Sequence, residues 1–462
     1  MNNSVIEQLE ALLGDKKVLS GISLSARYTH IWRMDKPLNA LAVCLPNSTQ
    51  EVSNILKICH TNKCAVIVHG GLTNLVGSTE TINGREVIIS MEKMNRIEEI
   101  DAVSRTMTVQ AGVILENAQN AAKANNLLFP LNYGAKGSAQ IGGAIATNAG
   151  GLRVFRFGMM RNLVLGLEVV LADGTILSSL KKIIKDNAAY DLKQLFIGSE
   201  GTLGVVTKAV LKLVEAPSSR NSAWVGIDNY QQVTSFLKFM DSGLAGALSS
   251  FELVWRHTFK ALTSPPAQVK PPLPYSYTYY ILLESLGSNP EKDLAIFESL
   301  LAEALEQGLI KDAAIAYTTS DLDWFWRIRE DVAVIIGQCQ NDQQFDVSLP
   351  IPNIGAYVEE TIEKLHQVPP VNQVFAVGHV ADGNIHFSVG KSEQNQTLIN
   401  EINDIVYQPL RDLGGSVSAE HGIGLDKKKY LKICRTPAEI QLMQTLKKAL
   451  DPHGILNPGK VI

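Results

Sequence analysis

The sequence predicts an α+β fold built from two domains. Three observations carry this: strand-type and helix-type runs follow one another in mixed order through the first half, glycine-rich turns interrupt them, and a second alternation of strands and helices begins after Ala216-Pro217-Ser218-Ser219. A chain of 462 residues is expected to form two cores, and 45% hydrophobic residues suffice to fill them. Residues 1–217 are assigned to the first domain and 218–462 to the second, with 425–462 expected to pack back on the first.

Taken in order, Val52, Ile55, Leu56 and Cys59 recur at helical spacing between Glu51 and Cys59, and Ala65 to Val68 reads as the strand that follows. Val87-Ile88-Ile89-Ser90 and Thr106-Met107-Thr108-Val109 read as strands around a turn, Leu115 to Asn125 as a helix, and Val164 to Leu171 and Val205 to Leu213 as further strands. In the second half, Trp224 to Ile227, Thr278 to Leu283 and Ala314 to Tyr317 read as strands, and Tyr230 to Met240 and Asp293 to Gln307 as helices. Such alternation around a small sheet suggests a ferredoxin-like arrangement. Ser264 to Pro274 holds five prolines in eleven residues and reads as an exposed loop of polyproline character, although a P-x-x-P match would also fit a docking motif.

Composition excludes several classes. A net charge of −4 leaves no nucleic-acid footprint. The five cysteines, at 44, 59, 64, 339 and 434, form no C-x-x-C pair, and their odd count argues against a disulfide framework, so reduced thiols in a cytoplasm are expected. The N-terminus has neither a basic nor an apolar region of the kind a signal peptide carries. No stretch approaches the ~20 apolar residues of a membrane-spanning helix, which leaves peripheral attachment at the inner face of a membrane open.

Two segments near the C-terminus carry chemistry: Gly378-His379-Val380-Ala381-Asp382-Gly383-Asn384-Ile385-His386, and Ser418-Ala419-Glu420-His421-Gly422. Two imidazoles and one carboxylate, here His379, His386 and Glu420, are a common catalytic zinc set, because three protein ligands leave a position for substrate. His421 beside them is suited to act as a base for a substrate hydroxyl. On spacing alone the same residues also fit ordinary polar loops, since His-x6-His is looser than a helical pair of ligands. In the N-terminal half three glycine clusters stand at 69–77, 136–151 and 198–207, each able to bring backbone N–H groups close to an anion. Neither G-x-G-x-x-G after a first strand nor G-x-x-x-x-G-K-[ST] is present, which disfavours a Rossmann domain and a P-loop.

The three clusters, with Arg156-Phe157-Gly158, Val164-Leu165-Gly166-Leu167-Glu168, Leu171-Ala172-Asp173-Gly174 and Lys185-Asp186-Asn187 between them, resemble the FAD-binding domain of the vanillyl-alcohol-oxidase type. Continued through Asp346-Val347-Ser348-Leu349-Pro350, the His379 and Glu420 segments and Asn457-Pro458-Gly459-Lys460, the resemblance is to the FAD-linked D-2-hydroxyacid dehydrogenases, a branch that includes D-lactate dehydrogenases, D-2-hydroxyglutarate dehydrogenases and the glycolate oxidase FAD subunit. It covers the chain from about Leu38 to the end.

The resemblance implies an FAD domain with a ferredoxin-like cap and noncovalent FAD, with Gly70, Gly71, Leu72, Thr73 and Asn74 at the pyrophosphate. Gly137, Ser138, Gly142, Gly143, Asn148 and Gly150 would line the rest of the flavin, Val205 and Val206 its adenine side, and Asn457 also belongs to the cofactor set. Asn74 stands where many relatives have glycine, and asparagine tolerates a left-handed backbone. His69 invites covalent attachment, but a strand-end histidine is the simpler reading. The resemblance further implies a divalent metal, zinc first and manganese or another second, on His379, His386 and Glu420, with His421 as base and Arg329 clamping the substrate α-carboxylate. A helix-surface salt bridge is the alternative for Arg329.

Three departures bear on the substrate. Gln344 stands where many members have lysine, Ala333 where the hydroxyglutarate enzymes have threonine, and Ser388 where asparagine is expected. Loss of a cation and two hydrogen-bonding groups weakens the case for a distal carboxylate and favours D-lactate or a similar monocarboxylate. D-2-hydroxyglutarate and a glycolate-oxidase-like subunit of a larger complex are the alternatives. The expected acceptor is a quinone, a cytochrome or an electron-transfer flavoprotein, and a homodimer is compatible with the resemblance.

Overall fold

Residues 2–462 are described by a computed structural model. The chain divides into two units: one comprises the chain up to Gly151, Gly158–Ala216 and Glu420–Ile462, the other Leu152–Phe157 and Pro217–Ala419.

The first unit contains two main sheets. In the smaller, Ala42–Cys44, Val87–Ser90 and Val66–His69 run parallel, and Val18–Leu19 pairs antiparallel at the edge. The helix Thr49–Thr61 begins at Ser48, whose side chain accepts the Glu51 N–H, and it buries Val52, Ile55, Leu56 and Cys59, the stripe its spacing defines. The larger sheet is antiparallel, in the order Ile97–Asp101, Thr106–Gln110, Val205–Lys212, Val164–Val170, Ile176–Ser179. Val87–Ser90 and the 106–109 strand lie in different sheets. Thr106–Gln110 instead pairs with Ile97–Asp101 in the other sheet, because an intervening strand supplies its hairpin partner. The C-terminal segment completes this unit: Val66 donates to Ile455 O (2.7 Å) and Asn457 donates to Val66 O (2.8 Å), extending the parallel sheet beside the strand that leads to the first glycine cluster.

The second unit is organised on one seven-stranded sheet, larger than expected, in the order Asp312–Ile315, Ser219–Ile227, Tyr279–Gly287, Leu248–Trp255, Val371–His379, Asn384–Lys391, Gln343–Ser348. Every neighbouring pair is antiparallel. Trp224, Phe259, Tyr280, Phe325 and Phe375 anchor a buried cluster in this unit, which also holds Leu273 and so pins the proline-rich loop after Ser264. The helices Tyr230–Leu244 and Pro290–Glu306 are capped by Asn229 and Asn289, and the second has proline in its first turn, where the missing N–H costs nothing. Leu152–Phe157 is bound into this unit by three contacts: Arg153 pairs with the buried Glu284 (3.2 Å), Arg156 donates to Leu286 O (2.6 Å), and Ser250 donates to Leu152 O (2.8 Å).

Candidate active site

Strand register puts the predicted residues of the second unit on one sheet face. His379 lies opposite Glu252, Val377 opposite His386, His386 opposite Asp346, and Ser388 opposite Gln344. Directly opposed residues share a face, as do residues two apart on a strand. Glu252, His379, His386, Asp346, Gln344 and Ser388 are therefore aligned across four adjacent strands. The imidazoles of His379 and His386 meet edge to face with centroids 5.4 Å apart, and each offers a nitrogen within 4.8 Å of the other's.

Glu252 is the functional residue that the sequence reading missed. Its buried carboxylate faces His379 Nδ1 (2.8 Å to Oε1, 2.7 Å to Oε2), accepts from Arg329 Nε and lies 2.9 Å from its Nη2, and accepts from Ser250 Oγ (2.9 Å). Burial alone would raise its pKa, but the opposing His379 and Arg329 outweigh burial and hold the carboxyl below its ordinary range. With Nδ1 engaged, the other ring nitrogen of His379 is the one suited to a metal, the usual arrangement in which an outer carboxylate orients a ligating histidine.

Arg329 is not in a surface salt bridge. It is buried on the helix Thr319–Glu330, whose start is fixed by reciprocal Thr318 and Asp321 hydrogen bonds, while Arg327 on the same helix is exposed. Asp346 is fully buried, and its Oδ2 accepts from Ala419 N (3.0 Å) and Ser418 Oγ (3.2 Å), which fixes the backbone just ahead of Glu420. Its Oδ1 lies 3.9 Å from His386 Nδ1. Asp382, also close by, is pushed up to about 6, first by burial and then by the carboxylates of Glu252 and Asp346, against the pull of His379. Gln344 donates to Asp342 (2.9 Å), and Ala333 is exposed on its helix.

In the first unit the three glycine clusters converge. A Cβ on Gly71 would stand 2.0 Å from Ser138 O, so only glycine permits this approach of the first cluster to the second. The third cluster joins through Gly198 N–H to Ile145 O (3.0 Å) and Glu200 N–H to Ala146 O (2.8 Å), at the end of the helix Ile141–Ala146. These residues fit a flavin. Positions where a Cβ on Gly143 would point are open, Gly70 has only ordinary contacts, and Gln140 Oε1, close to Gly70, is buried without a hydrogen-bond partner among the described residues. Thr73, Gly137 and Ser138 are at least partly accessible, whereas Gly150, Val205 and Val206 are buried, the two valines in the Val205–Lys212 strand.

One detail of the first turn departs from expectation. The left-handed residue of the first turn is Leu72 (φ 56°), not Asn74, whose side chain instead accepts from Ser78 N (3.0 Å) and donates to Thr79 Oγ1 (2.5 Å). Asn148 Oδ1 accepts from Arg161 N (2.9 Å), and the Asn457 amide spans Glu200 O (2.6 Å) and Lys460 Nζ (3.0 Å). His69 is buried with Nε2 3.0 Å from Thr79 O, a carbonyl that can only accept, and burial lowers its pKa to about 4. In this unit Glu420 lies near Tyr133, a second residue missed: burial and then Glu420 push the phenol well up.

All five cysteines are free thiols, and among the described residues no helix is long and apolar enough to cross a membrane. Residues 40–179 match the family described as FAD binding domain and 216–461 the FAD linked oxidases, C-terminal domain. The chain is 36% identical over 462 residues to a mitochondrial D-2-hydroxyglutarate dehydrogenase of Arabidopsis thaliana, covering 100% of this chain and 82% of that protein. It is 38% identical over 426 residues to a Schizosaccharomyces pombe protein provisionally named a mitochondrial D-lactate dehydrogenase, covering 90% and 81%. Further relatives from Bos taurus, Danio rerio and Rattus norvegicus, 37–38% identical, carry the D-2-hydroxyglutarate dehydrogenase name. The fold is similar to that of p-cresol methylhydroxylase, with a TM-score of 0.78 at 16% identity over 99% of this chain and 96% of that one. Sheet architecture, glycine cradle and relatives agree: the chain belongs to the FAD-linked D-2-hydroxyacid dehydrogenases, oxidoreductases of the vanillyl-alcohol-oxidase type that act on a CH–OH group.

Proposed function

We propose that the chain oxidises D-2-hydroxyglutarate to the 2-oxo acid at a noncovalent FAD, assisted by a divalent metal, zinc first, on His379, His386 and Glu420. The observation that carries this reading is the face shared by His379, His386, Asp346, Gln344 and Ser388, with Glu252 joining His379 to Arg329. Glu420 enters by covalent continuity, one residue after the Ala419 amide that Asp346 holds. The glycine clusters would hold the flavin, which would supply a hydride acceptor for substrate C2, and His379, His386 and Glu420 would hold the dication, which would supply Lewis acidity at the substrate hydroxyl. His421 accepts the hydroxyl proton. Glu252 keeps His379 oriented and accepts from Arg329 Nε, with Nη2 2.9 Å away in the ion pair, and the outer guanidinium N–H groups are assigned to the substrate α-carboxylate.

The relatives that match over the whole chain carry the hydroxyglutarate name, and this outweighs the preference for a monocarboxylate inferred from the missing lysine. Gln344 and Ser388 are neutral, yet both can donate to a distal carboxylate, and the exposed Ala333 weighs little. Electrons pass to a quinone, a cytochrome or an electron-transfer flavoprotein, in a compartment that keeps the five thiols reduced. D-lactate is the second reading, favoured by Gln344 in place of a cation and by the Schizosaccharomyces pombe relative.

Steady-state kinetics of the FAD-loaded protein with both hands of 2-hydroxyglutarate and lactate, and an artificial acceptor, tests this. We expect kcat/KM for D-2-hydroxyglutarate to exceed that for D-lactate by roughly ten- to a hundredfold, the scale of one or two charged hydrogen bonds. A preference for D-lactate, with Gln344→Lys shifting it towards hydroxyglutarate, would transfer the assignment to the monocarboxylate.

A further inference from the structure

Glu200 lies in the third glycine cluster, and its carboxylate is buried. Oε1 accepts from Ile423 N (2.7 Å), and Oε2 accepts from Gly424 N (2.9 Å) and Ser78 Oγ (2.9 Å). Both backbone amides belong to the segment that starts with Glu420 and His421. We infer that Glu200 is the positioning residue for that pair, an inference that rests on the metal and base roles proposed above.

Three features make the carboxylate a fixed support. Its own backbone is held at both ends, with the N–H donated to Ala146 O (2.8 Å) and the carbonyl accepting from Asn457 Nδ2 (2.6 Å). Ala146 closes the helix of the second glycine cluster, so the frame that would hold the flavin also holds Glu200. The supported segment is pressed onto the carboxylate: Gly422 has φ +86°, and a Cβ there would stand 2.9 Å from Glu200 Oε1. Beyond it, Leu425 donates to Val76 O (2.9 Å), which grips the segment from the first cluster. Glu420 and His421 are thus displayed by a short stretch of backbone clamped immediately downstream, and a shift of Ile423 and Gly424 is passed to them through one or two residues. Carboxylate is the group this task requires. It accepts two amides and a hydroxyl at once, whereas a carboxamide must set its NH2 against one of those donors.

The test compares Glu200→Gln, Glu200→Asp, Ser78→Ala and Glu420→Ala in the full-length protein. Zinc affinity by chelator competition, flavin content, amide exchange at Ile423 and Gly424, kcat and KM are the readouts. Glu200→Gln is expected to keep its flavin, to lose amide protection at 423 and 424, to bind zinc roughly 10- to 100-fold more weakly and to lose kcat more than KM. Glu200→Asp, which keeps the charge but withdraws it by one methylene, should show a smaller loss of the same kind, and Ser78→Ala should stay near wild type. A Glu200→Gln protein with wild-type amide protection, zinc affinity and kcat would overturn the inference. If that variant does not fold with flavin, Glu200→Asp decides by the same readouts. Unchanged zinc binding in Glu420→Ala would remove the metal reading alone, and Glu200 would then stand or fall on amide exchange and kcat.

Discussion

Replacing Glu252 by glutamine tests how much of the candidate site depends on one buried charge. The carboxylate faces His379 Nδ1, Arg329 Nε and Nη2, and Ser250 Oγ, and all of these groups lie in the second unit. An amide keeps the volume but removes the charge and turns its NH2 towards donors. Arg329, which is buried, would be left without its counter-ion, and breaking a buried pair in this way costs about 3–5 kcal/mol. For a unit of this size, that corresponds to a fall in Tm of roughly 6–20 °C. The same change loosens the ring of His379, and loss of an outer carboxylate typically lowers metal affinity roughly 10- to 100-fold. Differential scanning calorimetry and zinc titration against a chelator measure the two effects separately, with Glu252→Asp as a partial rescue. A Glu252→Gln protein that melts with the wild type and binds zinc equally well would refute the reasoning.

His379→Ala, His386→Ala and Glu420→Ala should each remove zinc and most turnover while the flavin spectrum persists, and full activity in chelator-stripped wild type would sink the metal's role. Acid precipitation should leave the yellow chromophore in the supernatant; colour retained on the pellet would reopen His69 as an attachment point. His69 also sets a pH dependence. Its folded pKa of about 4 lies below the ordinary 6.5, so the unfolded chain binds the extra proton first and stability falls as pH drops from about 6.5 to about 4, by about 3 kcal/mol in all. In urea titrations His69→Gln should flatten that part of the pH curve, and parallel curves would contradict the assignment.

Elements whose signal is local were legible. The helix after Ser48 carries its own cap and stripe, and the strand ending at His69 runs straight into the glycine turn, so both could be read from neighbouring residues. The histidine pair was legible because only six residues separate its members, and a tight reversal between paired strands returns the second beside the first. Glu252 had no such signal. It precedes His379 by 127 residues and becomes its partner only through strand register, which no short window contains. Leu72 was missed for a different reason: the left-handed position in that turn is set by how Gly71 packs on Ser138, so the local preference of asparagine for such backbone pointed to the wrong residue. The size of the second sheet was underestimated because two of its strands, Leu248–Trp255 and Val371–His379, pair across a long insertion.

The closure of the parallel sheet by Ile455 and Asn457 has a consequence for biosynthesis. Synthesis proceeds from the N-terminus, so Val66 and the glycine turn beyond His69 emerge long before the segment that pairs with Val66. Until then the strand before the turn has an unpaired edge, and Glu200 lacks both the Asn457 amide on its carbonyl and the amides of Ile423 and Gly424 on its carboxylate. A nascent chain that has not yet reached Asn457 therefore lacks these supports of the glycine turns. The supports of the flavin-side turns are thus drawn from segments about 390 residues apart, and a chain that lacks the 455–457 segment is expected to retain flavin less well than the complete fold.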